Sequence, residues 1–448
     1  MKQTMRTFYI WTIGCQMNLA DSWRLGEELK RLGMAEVSRA READLVVLNT
    51  CVVRQHAEDK CVGRLTSLQG WARRHPHHLL VVVGCFVGDV ACLQEAYPYV
   101  DLYLRPSDYM GLVHYLCDHD LAPYGTAPHL AAPYGTAPGL ASVPEGEVPV
   151  SMHVPISYGC DHHCTYCIVR LRRGGERSRP MDEILDEIRA LVARGVREVT
   201  VLGQNVDSYG HDLSPTPGEH EPPTLAALLY RVHEIEGLKR IRFLTSHPAD
   251  LRPALIEAVA ALPRVCPHFE LPVQAGDDAV LRRMGRGYTV ARYRDLIARI
   301  RERIPGCSIA TDVIVGFPGE KEAQYEATCR LLEELRFDAV HVAAYSERPG
   351  TPAAQLDDDV PLAEKQHRRQ AIDDLQSRIV SEINAQFVGQ HVEVLVEQVK
   401  GQRWQGRTVT NKLVYFEDTD RDWRGKLAQV RVTWAGPWSM IGDVDGIG

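Results

Sequence analysis

The stretch MHVPISYGCDHHCTYC, residues 152–167, joins a short apolar strand pattern to a loop that holds three cysteines. Cys160, Cys164 and Cys167 are separated by three and two residues, so one short loop can surround a metal centre. Three thiolates do not complete a four-coordinate site. A four-iron cluster bound by this loop would therefore keep one iron open for a substrate or cofactor.

The main alternative for this loop is a zinc site completed by His162 or His163. Zinc sites usually combine two pairs of ligands, and no second pair follows the loop in the sequence. Chance clustering in a chain with 12 cysteines is the remaining alternative. The spacing favours an iron–sulfur cluster over both.

The sequence around this loop alternates strand and helix patterns from residue 150 to 384. Helix patterns such as PMDEILDEIRALVARG, with Pro180 at a first-turn position, are amphipathic. Six strands with intervening helices predict an incomplete (βα)6 barrel of the TIM type rather than a full eight-fold one. The strand patterns are MHVPIS, EVTVLG, RIRFLTS, HFELPV, SIATDVIVG and DAVHVAAY.

Residues 1–117 form a second region of alternating strands and helices. The runs FYIWTIG, DLVVLNT and LLVVVG are strand patterns, and the last two are continuously apolar, as in buried parallel sheets. The helix pattern DSWRLGEELKRLG has Asp21 or Ser22 as its predicted cap. The alternation predicts a doubly wound α/β domain.

Two further segments complete the predicted organisation. Residues 118–149 are rich in Pro, Gly and Ala and contain APYGTAP twice, at 122–128 and 132–138, which is typical of a linker. Residues 385–448 contain the short alternating patterns HVEVLVEQV, QGRTVTN, LVYFE and LAQVRVT. These predict a small all-β barrel or sandwich.

A second group of cysteines lies where three predicted strands of the N-terminal domain end. Cys15 follows FYIWTIG, Cys51 follows DLVVLNT and Cys85 follows LLVVVG. The carboxyl ends of parallel strands meet at one edge of a sheet, so three thiols are delivered to that edge. The alternative is that these cysteines pack as small apolar core residues. For the other cysteines, core packing or an ordinary surface position without a role is preferred; these are Cys61, Cys92, Cys117, Cys266, Cys307 and Cys329.

Composition restricts where these thiols act. No apolar run in the 448 residues reaches the length of about 20 needed to span a bilayer, and the N-terminus lacks a signal-peptide pattern. We therefore expect a cytoplasmic protein without membrane contact, in which clustered cysteines bind metal rather than form disulfides. The net charge of −8 excludes a uniformly basic nucleic-acid binder, so RNA contacts would use local patches.

Motifs along nearly the whole chain, apart from the repeated APYGTAP segment, resemble the methylthiotransferases of the radical S-adenosylmethionine superfamily. Arg170 stands where that family usually has a proline after the third loop cysteine. The motifs are GCQMN at 14–18, LNTCVVR at 48–54, VGC at 83–85, YGCDHHCTYC at 158–167, GERSRP at 175–180, LGQNVDSYG at 202–210, TSHP at 245–248, LPVQAG at 271–276, VGFPGE at 315–320 and SERPGTPA at 346–353.

The resemblance implies two four-iron clusters and S-adenosylmethionine as cofactors. Cys160, Cys164 and Cys167 would hold the radical-generating cluster, whose open iron binds the amino acid end of S-adenosylmethionine. Cys15, Cys51 and Cys85 would hold an auxiliary cluster at which sulfur is supplied. The fold implied is a methylthiotransferase domain, a radical-enzyme barrel and a C-terminal TRAM domain that binds RNA.

The motif GCQMN resembles the branch that acts on N6-dimethylallyladenosine in tRNA, the MiaB type. This branch attaches a methylthio group to carbon 2 of the adenine at position 37, in the anticodon loop. One S-adenosylmethionine donates the methyl group and a second is the radical source. Sister branches modify threonylcarbamoyladenosine in tRNA or a ribosomal aspartate. The alternative from another class of protein is a non-catalytic RNA-binding zinc protein.

The resemblance also implies partners. These are tRNA, an electron donor such as flavodoxin or ferredoxin, and an iron–sulfur carrier; we expect a monomer.

Basic residues crowd the segment that follows the cluster loop. The arginines at 170, 172, 173, 177 and 179 suit tRNA phosphates or the carboxylate of the cofactor, and a solvated charged loop is the alternative. Glu176, Arg179 and Asn205 are the candidate S-adenosylmethionine contacts, since Glu176 could receive the amino group and Asn205 lies at the barrel mouth. His247 in TSHP is predicted to cap a turn.

The C-terminal segment interleaves aromatic and basic residues. Trp404 lies between Arg403 and Arg407, and Arg172 and Arg173 complete the predicted RNA-binding set. Acids nearly offset the positive charge, so core packing is the alternative for the aromatics. The remaining tryptophans of the segment are Trp423, Trp434 and Trp438.

Overall fold

The computed structural model describes residues 4–123, 149–215 and 220–447. None of the helices in these ranges is both long and apolar enough to cross a membrane. The chain divides into two compact units. The first combines the described residues up to 123 with 158–162 and 167–177, and the second combines 149–157, 163–166 and the described residues from 178. Most of the predicted linker lies outside the described residues, and the domain boundaries at 117, 149 and 384 stay predictions.

The first unit contains a five-stranded parallel sheet with the order β2-β1-β3-β4-β5. Strands β3 and β4 are buried along their whole length, as expected for central strands covered on both faces. The strands are β1 (Thr7–Thr12), β2 (Ala35–Glu36), β3 (Leu45–Thr50), β4 (Leu79–Gly84) and β5 (Leu102–Leu104), and the helices are α1 (Gln16–Arg31), α2 (Gln55–Arg74), α3 (Val90–Ala96) and α4 (Tyr109–Asp118).

Two apolar cores cover the two faces of this sheet. Leu25 of α1 and Leu112 of α4 belong to the core on one face. Leu65 and Trp71 of α2 belong to the core on the other. Helices on both faces confirm the predicted doubly wound fold.

The start of α1 differs from the prediction. The helix begins at Gln16, and the carbonyl of Cys15 accepts the first helical hydrogen bond from the amide of Leu19, 3.3 Å away. The predicted cap at Asp21 or Ser22 is therefore wrong, because both lie inside the helix. Ser22 instead accepts a 2.8 Å hydrogen bond from Asn49 of β3, which links the helix to the sheet.

The central region of the second unit contains six parallel strands in two three-stranded sheets, β10-β9-β6 and β11-β12-β13. Hydrogen bonds join the two halves; for example, the amide of Ser246 donates to the carbonyl of Glu270 at 3.1 Å. This arrangement confirms the incomplete barrel. Its strands are β6 (Ser151–Pro155), β9 (Glu198–Leu202), β10 (Arg240–Phe243), β11 (His268–Glu270), β12 (Ser308–Val315) and β13 (Ala339–Ala344), while the two-residue strands β7 (Ser157–Tyr158) and β8 (Arg177–Ser178) follow β6.

Helices separate the barrel strands. Pro180 occupies the cap position before α6 rather than its first turn, because the helix begins at Met181. The helices of the second unit are α6 (Met181–Ala193), α7 (Leu225–His233), α8 (Pro253–Ala261), α9 (Asp278–Arg283), α10 (Val290–Arg303), α11 (Glu322–Leu335) and α12 (Leu362–Ala385), with short 3-10 helices at Val206–Ser208 and Pro352–Gln355. The helix α5 (Val169–Arg173) and the 3-10 helix Ala40–Glu42 belong to the first unit.

The C-terminal region forms a closed barrel with the order β14-β15-β16-β18-β17, which settles the choice between barrel and sandwich. The sequence predicts four of its strands and misses β18, whose pattern contains Gly442 and two aspartates. The strands are β14 (His391–Lys400), β15 (Arg403–Arg407), β16 (Leu413–Phe416), β17 (Leu427–Ala435) and β18 (Met440–Ile447).

The turn between β15 and β16, residues 408–412, packs against the amino ends of the large barrel's strands. Arg242 of β10 donates to the carbonyl of Thr408 at 2.7 Å, and Ser308 donates to the carbonyl of Thr410 at 3.0 Å. Lys412 pairs with Asp338 at 2.8 Å. The small barrel therefore covers the end of the large barrel opposite to the carboxyl ends, where barrel sites form.

Candidate iron–sulfur and cofactor sites

The thiols of Cys15, Cys51 and Cys85 lie at the carboxyl edge of the first unit's sheet. Cys51 directly follows β3, Cys85 directly follows β4, and Cys15 is the cap residue of α1 after β1. Strands β1, β3 and β4 are neighbours, so the three residues converge at this edge. Burial, together with the nearby thiols of Cys85 and Cys15, raises the pKa of Cys51 to about 12.

The glycine before two of these cysteines permits close packing of the chain. Gly14 has a φ of +127°, and a Cβ on it would lie 2.5 Å from the Cβ of Cys51. Gly84 has a φ of +108°, and a Cβ on it would collide with the carbonyl oxygen of Thr50. Three thiols brought to one sheet edge by such close packing of the backbone fit a cluster with one open iron. Cluster iron would also compensate thiolates that burial alone disfavours.

Asn18 ties the loops of this site together. Its Nδ2 donates to the carbonyls of Ile13 and Thr50, each at 2.9 Å, so it links the turn before Cys15 to the turn before Cys51. Asn18 is fully buried. Sequence reasoning gave this residue no role, although a buried asparagine within GCQMN must find hydrogen-bond partners.

Arg173 also belongs to this edge of the first unit, and the prediction that it contacts RNA is wrong. Its side chain is 3% exposed and lies 3.8 Å from the carboxylate of Asp21. Its guanidinium donates to Oδ1 of Asn18 at 2.8 Å and to Oγ of Ser107 at 2.9 Å. Burial raises the pKa of the Cys85 thiol, whereas the charge and hydrogen bond of Arg173 lower it. A phosphate of RNA has no access to a guanidinium held in this way.

The loop with Cys160, Cys164 and Cys167 contributes to both units, and all three cysteines are half-buried. In the first unit, the amide of Cys160 donates to the carbonyl of Gly174 at 3.2 Å. Arg170, at the place of the expected proline, donates to the carbonyl of Asp161 at 3.0 Å. That hydrogen bond braces the loop where the proline's rigidity is missing.

In the second unit, Cys164 accepts a 3.3 Å hydrogen bond from Nη1 of Arg286. Arg286 is buried, and its other donors reach the carbonyl of Pro272 and the hydroxyl of Tyr288, both at 3.0 Å. A fixed cation beside the sulfur would offset the negative charge of a thiolate-bound cluster. Sequence reasoning missed Arg286, because it lies far from the loop in the chain.

Buried acceptors collect near the carboxyl ends of the barrel strands in the second unit. Asn205 follows β9 and donates to Asp250 at 2.6 Å. Its own Oδ1 is buried and accepts no hydrogen bond from the described parts of the chain, and the same holds for Oγ of Ser157 and Oε1 of Gln274. Unsatisfied buried acceptors call for a donor, and the ammonium and hydroxyls of S-adenosylmethionine are such donors. These residues therefore fit a polar cofactor.

The other two predicted cofactor contacts differ in their surroundings. Glu176 is buried, and its amide donates to the carboxylate of Asp161 at 3.1 Å; its contact with the cofactor stays a prediction. Arg179 donates to the carbonyl of Pro155 and pairs with the buried Glu187, both at 2.7 Å. Both contacts are made by Nη1 of Arg179 and anchor its side chain, and contact of Arg179 with the cofactor stays a prediction.

Acidic groups near the same strand ends were not predicted. Burial, together with the nearby carboxylate of Asp312, raises the pKa of Glu270 to about 7. Burial also raises the pKa of Asp207 to about 7, against the hydrogen bonds from the His247 amide and the Ser246 hydroxyl. His247 itself accepts from the amide of Ala249 at 3.3 Å, which confirms the predicted capped turn.

In the C-terminal barrel, exposure separates the tryptophans into two classes. Trp423 is buried, and Trp404 is half-buried with its Nε1 donating to the carbonyl of Asp418 at 2.9 Å, so core packing accounts for much of both. Trp434 and Trp438 are 52% and 69% exposed. A large exposed aromatic side chain is available for stacking, which a half-buried one is not.

The arginines of the predicted RNA-binding set are also unequal. Arg403 is exposed and pairs with Glu417 at 2.8 Å. Arg407 donates to the carbonyl of Asn411 at 3.1 Å, within the turn that meets the large barrel. Arg172 is half-buried in the first unit. RNA contact by these three residues stays a prediction.

Three family models match separate parts of the chain. The model of the radical SAM superfamily matches residues 154–332, and the TRAM domain model matches residues 385–444. Residues 7–104 match the uncharacterized protein family UPF0004.

Curated relatives match nearly the full length. A tRNA-2-methylthio-N6-dimethylallyladenosine synthase of Roseiflexus sp. strain RS-1 is 51% identical over 98% of this chain and 89% of its own length. Relatives of the same name from Herpetosiphon aurantiacus and Chloroflexus aurantiacus are each 47% identical over 98% of this chain, and cover 97% and 91% of their own lengths.

Among solved structures, the radical S-adenosylmethionine methyltransferase TsrM from Kitasatospora setae is similar in fold, with a TM-score of 0.56 at 14% identity. The similarity covers 78% of this chain and 75% of that one. At such low identity it shows the fold alone. The identity and coverage of the curated relatives are decisive: this chain belongs to the family of tRNA-2-methylthio-N6-dimethylallyladenosine synthases.

Proposed function

We propose that this protein attaches a methylthio group to carbon 2 of N6-dimethylallyladenosine at position 37 of tRNA. The observation that carries the proposal is the convergence of Cys15, Cys51 and Cys85 at one sheet edge, in a chain that also has the loop of Cys160, Cys164 and Cys167. Two sets of three thiols separate the supply of sulfur from the supply of a radical. Carbon 2 of adenine is an unactivated C–H position that acid–base groups do not functionalise, so a radical source is required.

Each set of thiols would hold one four-iron cluster, and S-adenosylmethionine would serve both as methyl donor and as radical source. When bound, the clusters supply the electron for cofactor cleavage and the site for the sulfur. The chain's own contributions are local. Arg286 fixes the sulfur of Cys164, and Asn18 fixes the two turns that carry Cys15 and Cys51.

The buried acceptors at the barrel's carboxyl ends would bind the polar end of S-adenosylmethionine. Asn205 Oδ1, Ser157 Oγ and Gln274 Oε1 would accept hydrogen bonds from its ammonium or ribose hydroxyls. Glu176, in the first unit, stays a candidate contact for the ammonium of S-adenosylmethionine. A cofactor held through several buried acceptors is oriented and shielded from water, which suits a reaction that forms a reactive radical.

RNA binding would use the C-terminal barrel together with basic residues near the cluster loop. Arg403 and Arg172 would contact phosphates, and the exposed Trp434 and Trp438 would stack on bases more readily than the half-buried Trp404. Flavodoxin or ferredoxin would deliver electrons, and an iron–sulfur carrier would load the clusters. We expect the protein to act as a monomer in the cytoplasm.

The test is nucleoside mass spectrometry of tRNA from a strain that lacks this protein, with and without the gene restored. We expect 2-methylthio-N6-dimethylallyladenosine to appear only on restoration. Appearance of the methylthiolated threonylcarbamoyl nucleoside instead would assign the protein to the sister branch.

Metal analysis of protein reconstituted without oxygen is a second test. About eight irons per chain are expected for two four-iron clusters. A colourless protein that contains zinc would contradict any radical function.

A further inference from the structure

We propose that Arg173 is a positioning residue of the auxiliary site, which fixes its loops and sets the charge around any cluster bound there. The inference rests on the proposed function, because it assumes that Cys15, Cys51 and Cys85 hold iron. It goes further, because it gives a role at this site to a residue outside the motifs that contain Cys15, Cys51 and Cys85. The sequence places Arg173 six residues after Cys167, at the end of the short helix α5.

The geometry gives Arg173 few alternatives to this role. Its side chain is 3% exposed, so neither solvent nor RNA reaches its charge. One end of the guanidinium donates to Asn18 at 2.8 Å and the other to Ser107 at 2.9 Å. Because Asn18 in turn holds the turns before Cys15 and Cys51, Arg173 braces the residue that fixes two of the three thiols.

The charge of Arg173 also acts on the thiols themselves. Its guanidinium donates to Oδ1 of Asn18 at 2.8 Å, and the same oxygen lies 3.8 Å from Sγ of Cys15, so the positive charge lies close to the thiols. An arginine guanidinium keeps its proton in proteins even when it is buried, so this charge is permanent. A buried cation beside three thiolates compensates the net negative charge of a thiolate-bound cluster. Asp21, 3.8 Å away, opposes this effect in part.

These charges predict the direction of a measurable shift. Reduction adds an electron to an already negative cluster, so a nearby cation stabilises the reduced form. Loss of the cation in Arg173→Gln should lower the reduction potential and weaken retention of the cluster. Loss of the opposing carboxylate in Asp21→Asn should raise the potential. Arg173→Lys keeps the positive charge but cannot donate to Asn18 and Ser107 at the same time. The reduction potential of the cluster in this variant should therefore lie closer to the parent's value than in Arg173→Gln.

The experiment uses the full chain with Cys160, Cys164 and Cys167 all changed to alanine, so that only the auxiliary site can bind iron. After reconstitution without oxygen, the potential is measured by an EPR-monitored redox titration at pH 8.5, and iron release to a chelator is timed. We expect Arg173→Gln to shift the potential downward and to release iron about tenfold faster, as for the loss of one charge-assisted hydrogen bond. Asp21→Asn should shift the potential upward.

Arg41→Met is the matched control, because it removes one positive charge from the same unit at a side chain that is 68% exposed. It should change neither quantity. Unchanged potential and release rate in Arg173→Gln, or no upward shift in Asp21→Asn, would overturn the inference; the second variant decides the matter if the first does not fold. A parent that binds no iron at all would instead contradict the auxiliary cluster and thus the proposed function.

Discussion

At the scale of single residues, the auxiliary site depends on backbone positions that only glycine fills well. Gly84 ends β4 with a φ of +108°, immediately before Cys85. A side chain there is strained by the left-handed backbone and also meets the carbonyl of Thr50 on the neighbouring strand. Backbone cannot move aside as a flexible side chain can, so both effects act together.

We therefore expect Gly84→Ala to destabilise the protein by about 2 kcal/mol or more and to reduce iron retention. The measurement is urea denaturation followed by circular dichroism, together with iron analysis. Gly63→Ala is the control, since Gly63 lies within α2 with nothing within 4 Å of the added methyl group. That change should be neutral or stabilise the helix by about 0.5–1 kcal/mol. Equal effects of the two changes would mean that neither the left-handed backbone nor the contact with Thr50 restricts position 84.

Glu270 gives a second prediction at this scale, which concerns pH. Burial raises its pKa from the ordinary 4.5 to about 7, so the folded state binds the proton more tightly than the unfolded state does. Its contribution to stability is present below pH 4.5 and is lost as the pH rises through 7. Glu270→Gln should therefore flatten the decline of the melting temperature between these two pH values.

The control for this series is Glu257→Gln. Glu257 is exposed, and the hydrogen bond from Arg303 lowers its pKa, so it does not titrate in the same window. Thermal melts across the pH range compare both variants with the parent protein. A decline as steep in Glu270→Gln as in the parent would show that this carboxyl is not the one that titrates.

At the scale of elements, the buried strands were predictable and the details of their ends were not. LLVVVG and DLVVLNT are continuously apolar. Such runs are typical of parallel strands that are covered by helices on both faces of the sheet. The start of α1 was placed too late, because Cys15 has no typical capping side chain. Strand β18 was missed because glycine and aspartate interrupt its alternation, and only its neighbours β16 and β17 make it a strand.

The same reasoning explains which site residues the sequence identified. Cysteines at strand ends are read directly from strand patterns, so Cys51 and Cys85 were found. Arg173 was assigned to RNA because its neighbours in sequence are basic, and only the fold brings Asn18 and Asp21 around it. Arg286 was missed, since 122 residues separate it from Cys164.

The contact between the two barrels gives a prediction at the scale of elements. Arg242 and Glu198 form a 2.9 Å ion pair whose side chains are only 5% and 3% exposed. Arg242 also donates to the carbonyls of Thr408 and Val409 in the turn of the small barrel. Removal of this arginine leaves a buried carboxylate and two carbonyls without their donor.

We expect Arg242→Met to lower stability by about 3–5 kcal/mol, as for a buried pair that loses one member. Urea denaturation is the measurement, and Arg294→Met is the control. Arg294 pairs with Glu334 at 2.8 Å, but both side chains are exposed by more than two fifths, so about 1 kcal/mol or less is expected. A loss as small in Arg242→Met as in the control would mean that the turn does not depend on this arginine.

At the scale of the whole molecule, the chain divides its chemistry between separate parts. The first unit carries three thiols at a sheet edge, the second carries buried acceptors at the barrel's carboxyl ends, and the small barrel closes the opposite end of those strands. Separation of this kind lets one set of thiols be removed while the other remains intact. The central claim is that Cys15, Cys51 and Cys85 serve the supply of sulfur, whereas Cys160, Cys164 and Cys167 serve the formation of the radical. Substitution of one set of cysteines can therefore test it.

The most direct measurement is product analysis with the triple variant Cys15→Ala, Cys51→Ala, Cys85→Ala. The reconstituted variant is incubated with reductant, S-adenosylmethionine and tRNA that carries N6-dimethylallyladenosine, and nucleosides and cofactor products are quantified by mass spectrometry. We predict that 5′-deoxyadenosine still forms while no methylthiolated nucleoside appears. A methylthiolated nucleoside produced at the parent's level would contradict the division of roles between the two sets of thiols.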